Sequence, residues 1–415
     1  MKQSSVLIIG AVWVEPTSSA AGSRMLQLID YFIENNYTIT FATTSLKNEN
    51  SIDLHSLGIK VVSIELNAAS FDEFIAELNP EIVLFDRFMT EEQFGWRVAE
   101  TCPNAIRILD TEDLHSLRKI RQDAVRKERL FSIDDLLNSD IAKREIAAIL
   151  RSDLSLIISS FEMELLLSTF RIDKSLLFHL PFLLNPIEDI QIASWPKFEE
   201  RTHFVTVGNF LHPPNVDGVI QLKNTIWNKI RRKLPKAEMH IYGAYAKQQI
   251  VELHNEKEGF LIKGFVEDAE NVVSNARVVL APLRFGAGIK GKLTEAMICG
   301  TPSVTTSIGA EGMHNGLPWN GFVTDEFEDF ANRAIELYSN QKTWELFQHN
   351  GIEIINQLYN KESLNSLFQE RILTLSQQLK THRTFNFIGS VLQHESMRST
   401  KYMSKWIEEK NKTSN

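Results

Sequence analysis

Two series of alternating strand-like and helix-like segments, separated by one aperiodic stretch, constrain this chain more than any single motif. The first series opens with "SVLIIGAVWV", continues through an amphipathic segment at 23–35 with Met25, Leu26, Ile29, Phe32 and Ile33 on one face, and reaches "YTITFATTS". That order is a βαβ unit and predicts a parallel sheet. Short apolar strands follow at "IKVVSIEL", "EIVLFD", "AIRILD" and "LSLIISS". Residues 183–203 then lose periodicity and carry Pro186 and Pro196, which marks a linker. A second series begins with "HFVTVGN" and runs through "AEMHIYGA", "FLIKGFV", "ARVVLAPL" and "PSVTTS", with helices expected at 217–234, 246–256 and 290–299. A length of 415 residues also favours two domains. The expected class is α/β, with two Rossmann-like domains whose parallel sheets face each other across a cleft. The boundaries are 1–185 for the first domain, 186–202 for the linker, 203–375 for the second domain and 376–415 for a helical tail.

Ligands of open α/β sheets sit beyond the C-terminal strand ends, so the cleft is where a site is expected. The first turn, residues 16–23, has no Gly-x-Gly-x-x-Gly, so a dinucleotide fingerprint is absent. A formal charge of −9 argues against a nucleic-acid partner. Cys102 and Cys299 lie far apart and read as core residues of a cytoplasmic protein. Lys2, the apolar run 6–14 and Ser19-Ala20-Ala21 imitate a short signal peptide, but Gly10 interrupts the run, which favours a first β-strand. No apolar stretch reaches the length of a spanning helix. The basic tail and the basic run at 118–130 read as solvated helices, with peripheral contact at the inner face of a membrane as the sharper alternative. No His, Cys, Asp or Glu spacing suits a metal, so metal independence and no cofactor are expected.

The stretch "LRFGAGIKGKLTEAM", residues 283–297, carries the chemistry. Gly286 and Gly288 let a backbone come close to a ligand, and the helix expected after Ile289 offers amides and the positive end of its dipole to phosphate oxygens. Lys292 and Glu295 share a helical face, and Lys290 sits in the first turn. Diphosphate and ribose would engage such a set, the carboxylate accepting from paired hydroxyls. An exposed Lys292–Glu295 ion pair beside a flexible loop is the plain alternative, worth about 0.3–0.5 kcal/mol.

The stretch "VVLAPLRFGAGIKGKLTEAMICGTPSVTTSIGAEGM", with "FVTVGNFLHPPNVDGV", "HIYG" and "IKGFVED" in order before it, resembles the C-terminal domain signature of family 4 glycosyltransferases, the retaining GT-B group. "TEDLHSLRKIRQ" is similar to the acceptor-side loop of some bacterial members. The resemblance covers residues 5–375 and is strongest over 203–313. It implies that Glu295 binds the donor ribose and that Lys292 or Lys290 neutralises the diphosphate. Backbone at Phe265 and Val266 would meet the base, and Gly22 would approach from the other domain. The nucleotide-sugar is then a substrate, and the acceptor a glycan or a lipid-linked molecule of cell-envelope polysaccharide synthesis.

Two departures stand out. The family pairs two glutamates eight apart, yet Ala287 stands eight before Glu295. The family's Arg and Lys after the first strand of this domain are also missing, with residues 209–215 reading NFLHPPN. Lys290 and Lys292 are expected to supply the lost charge. Asp113 and His115 are candidates to position an acceptor, with Lys292 as the third catalytic candidate; helix capping by Asp110, Thr111 and Asp113 is the rival. His212 is a weaker site residue, and Arg24, just inside the first helix, is placed to reach a phosphate but reads rather as a solvated surface arginine. A sugar-nucleotide epimerase and a catalytically silent scaffold subunit remain as alternatives to a transferase.

Overall fold

The computed structural model describes residues 4–413; Lys2 and the last two residues of the tail lie outside them. Among the described residues, seven strands form the first sheet: β1 (Ser5–Gly10), β2 (Thr38–Thr43), β3 (Lys60–Ser63), β4 (Ile82–Asp86), β5 (Ile106–Asp110), β6 (Leu154–Ile157) and β7 (Leu177–His179). Their order is β3-β2-β1-β4-β5-β6-β7, and every pairing is parallel. The second sheet has six strands: β8 (Thr202–Val207), β9 (Met239–Tyr242), β10 (Phe260–Gly264), β11 (Ala276–Ala281), β12 (Ser303–Thr305) and β13 (Gly321–Val323). Its order is β10-β9-β8-β11-β12-β13, also parallel throughout. Central strands are continuous Val, Ile and Leu runs because helices bury both faces: in β1, Val6 to Ile9 are at most 1% exposed. The three-residue edge strands β7 and β13 escaped sequence reading because they are too short to show a period.

Both sheets reverse strand order at one place, between β1 and β4 in the first and between β8 and β11 in the second. Loops leaving the two sides of such a switch diverge and open a crevice at the carboxyl ends of the strands. The two switch points face each other, and that fixes the position of the cleft.

The chain crosses between domains twice. Leu184 pairs with Asn360 in an isolated parallel bridge, with Leu184 N–H donating to Tyr359 O at 2.9 Å and Lys361 N–H to Leu184 O at 2.8 Å. The second crossing corrects the expected division at 375. Lys361–Phe385 is one helix, and its Phe368, Ile372 and Leu375 are buried in the first domain's core with Met25, Leu28 and Tyr31. The final helix, Phe387–Thr413, also returns to the first domain. Its Ser404 and Glu408 accept from the buried Arg97. The tail is therefore docked on one face, although Phe385, Phe387, Tyr402 and Trp406 remain exposed. Its weak periodicity hid an apolar seam spread over two helices.

Candidate functional site

A cleft of about 860 Å³ lies between the two switch points. From the second domain it is lined by Gly208, Asn209 and His212 after β8 and by residues 285–287 and 289–292 after β11. The helix Gly291–Ile298 starts at the cleft wall, and no side chain caps it, so its first amides are left for a ligand. Lys292 and Glu295 both line the cleft. The side chain of neither makes a hydrogen bond or an ion pair within 4 Å among the described residues, so the Lys292–Glu295 surface pair does not form. Burial raises Glu295 to about 7, with Glu270 and Asp268 adding to it and Lys292 opposing. Burial lowers Lys292 to about 8, against the pull of Glu295. An unpaired cation and an unpaired carboxyl one helical turn apart are poised for a partner that brings both an anion and hydroxyls.

Lys290 behaves differently. It is the N-cap residue, 8% exposed, and its ammonium donates to Gly288 O at 2.8 Å. Burial lowers it to about 8, while Glu311 and Glu162 favour its charged form. It holds the glycine loop in shape while lining the same cleft.

The first domain supplies the opposite wall from the loops after β1, β4 and β5. Asp113 faces the cleft, with Arg118 Nε 3.0 Å from its Oδ2 and His115 Nε2 3.5 Å from its Oδ1. Its Oδ1 is buried and accepts no hydrogen bond. Burial would raise Asp113, but Arg118, His115 and His212 overcome it and hold the carboxylate below its ordinary range. Burial pushes His115 down to about 4, so it is a neutral imidazole near pH 7. His212 sits across the cleft as the N-cap residue of Pro213–Gln221, with Nδ1 3.4 Å from Arg118 Nη1, and burial also lowers it to about 4.

Helix capping does not compete for Asp113. Leu114 is the N-cap residue of the helix His115–Arg126. Glu145 accepts from the backbone N–H groups of His115 at 2.8 Å and Ser116 at 3.0 Å, and Glu162 accepts from Leu114 N–H at 2.9 Å. Asp110 is engaged elsewhere: Arg24, 1% exposed, grips it through Nε at 2.9 Å and Nη2 at 2.7 Å and donates to Leu180 O at 2.8 Å. Arg24 is thus an interior residue, in contrast to the surface position expected, because its helix points it beneath the strand ends.

Residues 201–340 match the family model described as Glycosyl transferases group 1. No curated protein sequence matches the chain. Solved structures align over nearly its whole length. Sucrose-phosphate synthase from Thermosynechococcus elongatus superposes with a TM-score of 0.67 at 16% identity, covering 90% of this chain and 99% of that one. HepE from Anabaena, in complex with UDP and glucose, gives 0.61 at 13% identity, covering 90% and 100%. WaaG, a glycosyltransferase involved in lipopolysaccharide biosynthesis, gives 0.61 at 11% identity, covering 87% and 97%.

The chain has the GT-B fold. Its cleft brings together Asp113, His115, Lys290, Lys292, Glu295, Gly286 and His212. It leaves four expected residues outside: Gly22, Phe265, Val266 and Gly288. Gly22 does not line the GT-B cleft: its N–H donates to Ser19 Oγ at 3.0 Å, and a Cβ there would lie 2.2 Å from Glu15 O, so the glycine serves close packing of helix on loop. Its neighbours Ser19, Ala20, Ala21 and Ser23 face the cleft instead. Phe265, 44% exposed, lines a smaller recess of about 440 Å³ with Glu49, Asn50 and Tyr245, and Val266 lines neither. Tyr245 borders both spaces; its hydroxyl donates to Glu15 Oε2 at 2.9 Å and accepts from Asn50 Nδ2 at 2.8 Å. Gly288, with φ +62°, touches the first domain rather than a ligand: a Cβ would stand 2.8 Å from Asp113 Cβ.

Sequence reading missed Arg118, Arg121, Glu145 and Glu162. Arg118 and Arg121 sit in the basic run 118–130, and the structure turns both inward, Arg118 to the cleft and Arg121 to Glu311 of the second domain at 2.7 Å. Helical spacing from His115 held the signal for Arg118, since residues three apart share a face. Nothing local marked Glu162, whose partners come from other elements. Among the described residues, no group of three or more His, Cys, Asp or Glu is placed to hold a metal, and no helix is long and apolar enough to cross a membrane.

Proposed function

We propose that the chain transfers a sugar from a nucleoside diphosphate donor to an acceptor hydroxyl, with retention at the anomeric carbon. The carrying observation is the unpaired Lys292 and Glu295 beside an uncapped helix start, on the wall that matches the group 1 glycosyltransferase model. A diphosphate would take the helix amides and Lys292, and the ribose diol would donate to Glu295. The UDP held by the similar HepE structure supports this class of donor.

Asp113, the neutral His115 and Arg118 face that position from the other wall and would orient the acceptor and the transferred sugar. In the transfer, the acceptor oxygen bonds to the anomeric carbon as its bond to the diphosphate oxygen breaks. The acceptor proton passes to that leaving oxygen, and the nucleoside diphosphate departs. Orientation and charge stabilisation are the protein's contribution. Retention and a cell-envelope acceptor, glycan or lipid-linked, follow from the family resemblance; the similarity to WaaG supports the latter. Peripheral membrane contact through the exposed aromatic side chains of the docked tail, Phe385, Phe387 and Trp406, belongs to the same reading.

The test is release of nucleoside diphosphate from a panel of nucleotide-sugars in EDTA, with and without glycan acceptors. Acceptor-stimulated release with the product's anomeric configuration unchanged is expected. Binding without release from any donor would return the scaffold reading, and interconversion of donor sugars without an acceptor would return the epimerase.

A further inference from the structure

The glycine loop belongs to the second domain by sequence, yet the first domain determines its shape. Arg121 donates through Nη1 to Gly286 O at 2.9 Å and holds Glu311 through both terminal nitrogens, at 2.7 and 2.9 Å. It is 5% exposed and lies over the rings of Phe131 and Phe161, 5.3 and 5.2 Å from their centroids. One residue further along, Ala287 packs in the first domain's core cluster with Leu114 and Leu117. At Gly288 the N–H donates to Glu162 Oε1 at 2.8 Å, the same oxygen that accepts Leu114 N–H at 2.9 Å. Glu162 is 0% exposed, and its Oε2 has no partner. One carboxyl oxygen thus joins the backbone of the Asp113 loop to that of the phosphate loop.

We propose that Arg121 and Glu162 are positioning residues that fold the 286–288 loop into its phosphate-binding shape only when the domains are in contact. This rests on the donor-site reading above. Affinity for a diphosphate is then coupled to closure, because a ligand needing the ordered loop stabilises the contacts that order it. Ala287 explains itself in the same terms. Ala287 packs against the first domain's core at the edge of the cleft, and a glutamate there would bring a second carboxylate close to the buried Glu162, where an unpaired negative charge is strongly disfavoured. The carboxyl group at the loop comes instead from the facing domain. Both N–H donors land on Oε1, so a neutral amide at 162 can replace the carboxyl, whereas a methyl cannot.

The experiment is calorimetric titration of the full chain with UDP, ADP, GDP, CDP and TDP, using wild type, Glu162→Gln, Glu162→Ala and Arg121→Gln. Hydrogen exchange of the helix Ser160–Ser168, which the cleft does not contact, is followed with and without the diphosphate that binds. Glu162→Gln is expected to bind within about 3-fold of wild type, and the other two about 10-fold or more weaker, in the range of coupling between sites. Ligand should slow exchange at Ser160–Ser168 in wild type and in Glu162→Gln. Equal affinity in all four proteins, or no ligand-dependent change at Ser160–Ser168 in wild type, overturns the inference and leaves the donor site standing. Failure of wild type to bind any of the five diphosphates overturns both. The exchange experiment on wild type decides the matter even if the alanine variant does not fold.

Discussion

The two walls of the cleft are built on opposite plans. The second-domain wall draws its candidate groups, His212 apart, from one short stretch, 286–295, and leaves the side chains of Lys292 and Glu295 without partners. The first-domain wall collects Arg87, Glu112, Asp113, His115 and Arg118 from the segments after β4 and β5, and most are tied to each other, as in Arg87 to Glu112 at 3.2 Å and Arg118 to Asp113 at 3.0 Å. Unpaired groups next to helix amides suit a ligand that arrives with its own charge and hydroxyls. A network of mutually paired charges suits a wall that holds its shape while something else reacts against it. Damage to the second wall should therefore appear in donor binding, and damage to the first in turnover.

The largest effect should come from Lys292→Met. Without that cation the diphosphate faces Glu295 alone, and donor affinity is expected to fall about 100-fold, some 2.7 kcal/mol, by titration. Asp113→Asn tests the other wall: turnover should drop about 100-fold with the Kd for nucleoside diphosphate within about 3-fold, the size of effect typical for a positioned polar group. A matching loss of donor affinity would erase the contrast between the walls. Gly288→Ala strikes the seam between them, since a Cβ would collide with Asp113 at an already left-handed φ of +62°. A loss of about 1–3 kcal/mol of stability, seen as a lower Tm, and weaker donor binding are both expected.

The smallest effect is one of pH. Glu295 accepts most strongly from both ribose hydroxyls when ionised, and its folded-state pKa is about 7, so affinity should fall as pH drops below that value. Lys292 must be charged, and its pKa is about 8, so affinity should fall again as pH rises above that value. Donor affinity should peak between the two, and Glu295→Gln should flatten the acidic limb alone. Stability responds to the histidines in the opposite sense to a histidine that gains a carboxylate partner on folding. His115 and His212 stay neutral in the folded chain down to about 4, while the unfolded chain protonates them near the ordinary 6.5. Stability is thus complete above that ordinary value and is lost as pH falls from it toward 4.

The sequence disclosed one wall better than the other for a physical reason. Alternating apolar runs gave both parallel sheets, and a glycine-rich loop followed by an amphipathic turn gave Lys292 and Glu295, because those signals are local. Arg121 finds Gly286 across 165 residues and Glu311 across 190, and Glu162 finds Gly288 across 126, so no period or spacing could announce them. The same distance hid the destination of the tail, whose Phe368 and Ile372 complete a core begun at β1. Gly22 misled for a related reason: a glycine near a helix start suits either a ligand or a neighbouring backbone, and only packing against Glu15 distinguishes the two.

The central claim is that the unpaired pair on the second wall receives a nucleoside diphosphate and its ribose. Its most direct test is calorimetric titration of nucleoside diphosphates into wild type and Glu295→Ala, in EDTA. Selective binding that survives EDTA and weakens by about 1 kcal/mol or more when the hydroxyl acceptor is removed is expected. Equal binding by the two proteins, or none by wild type, would contradict it.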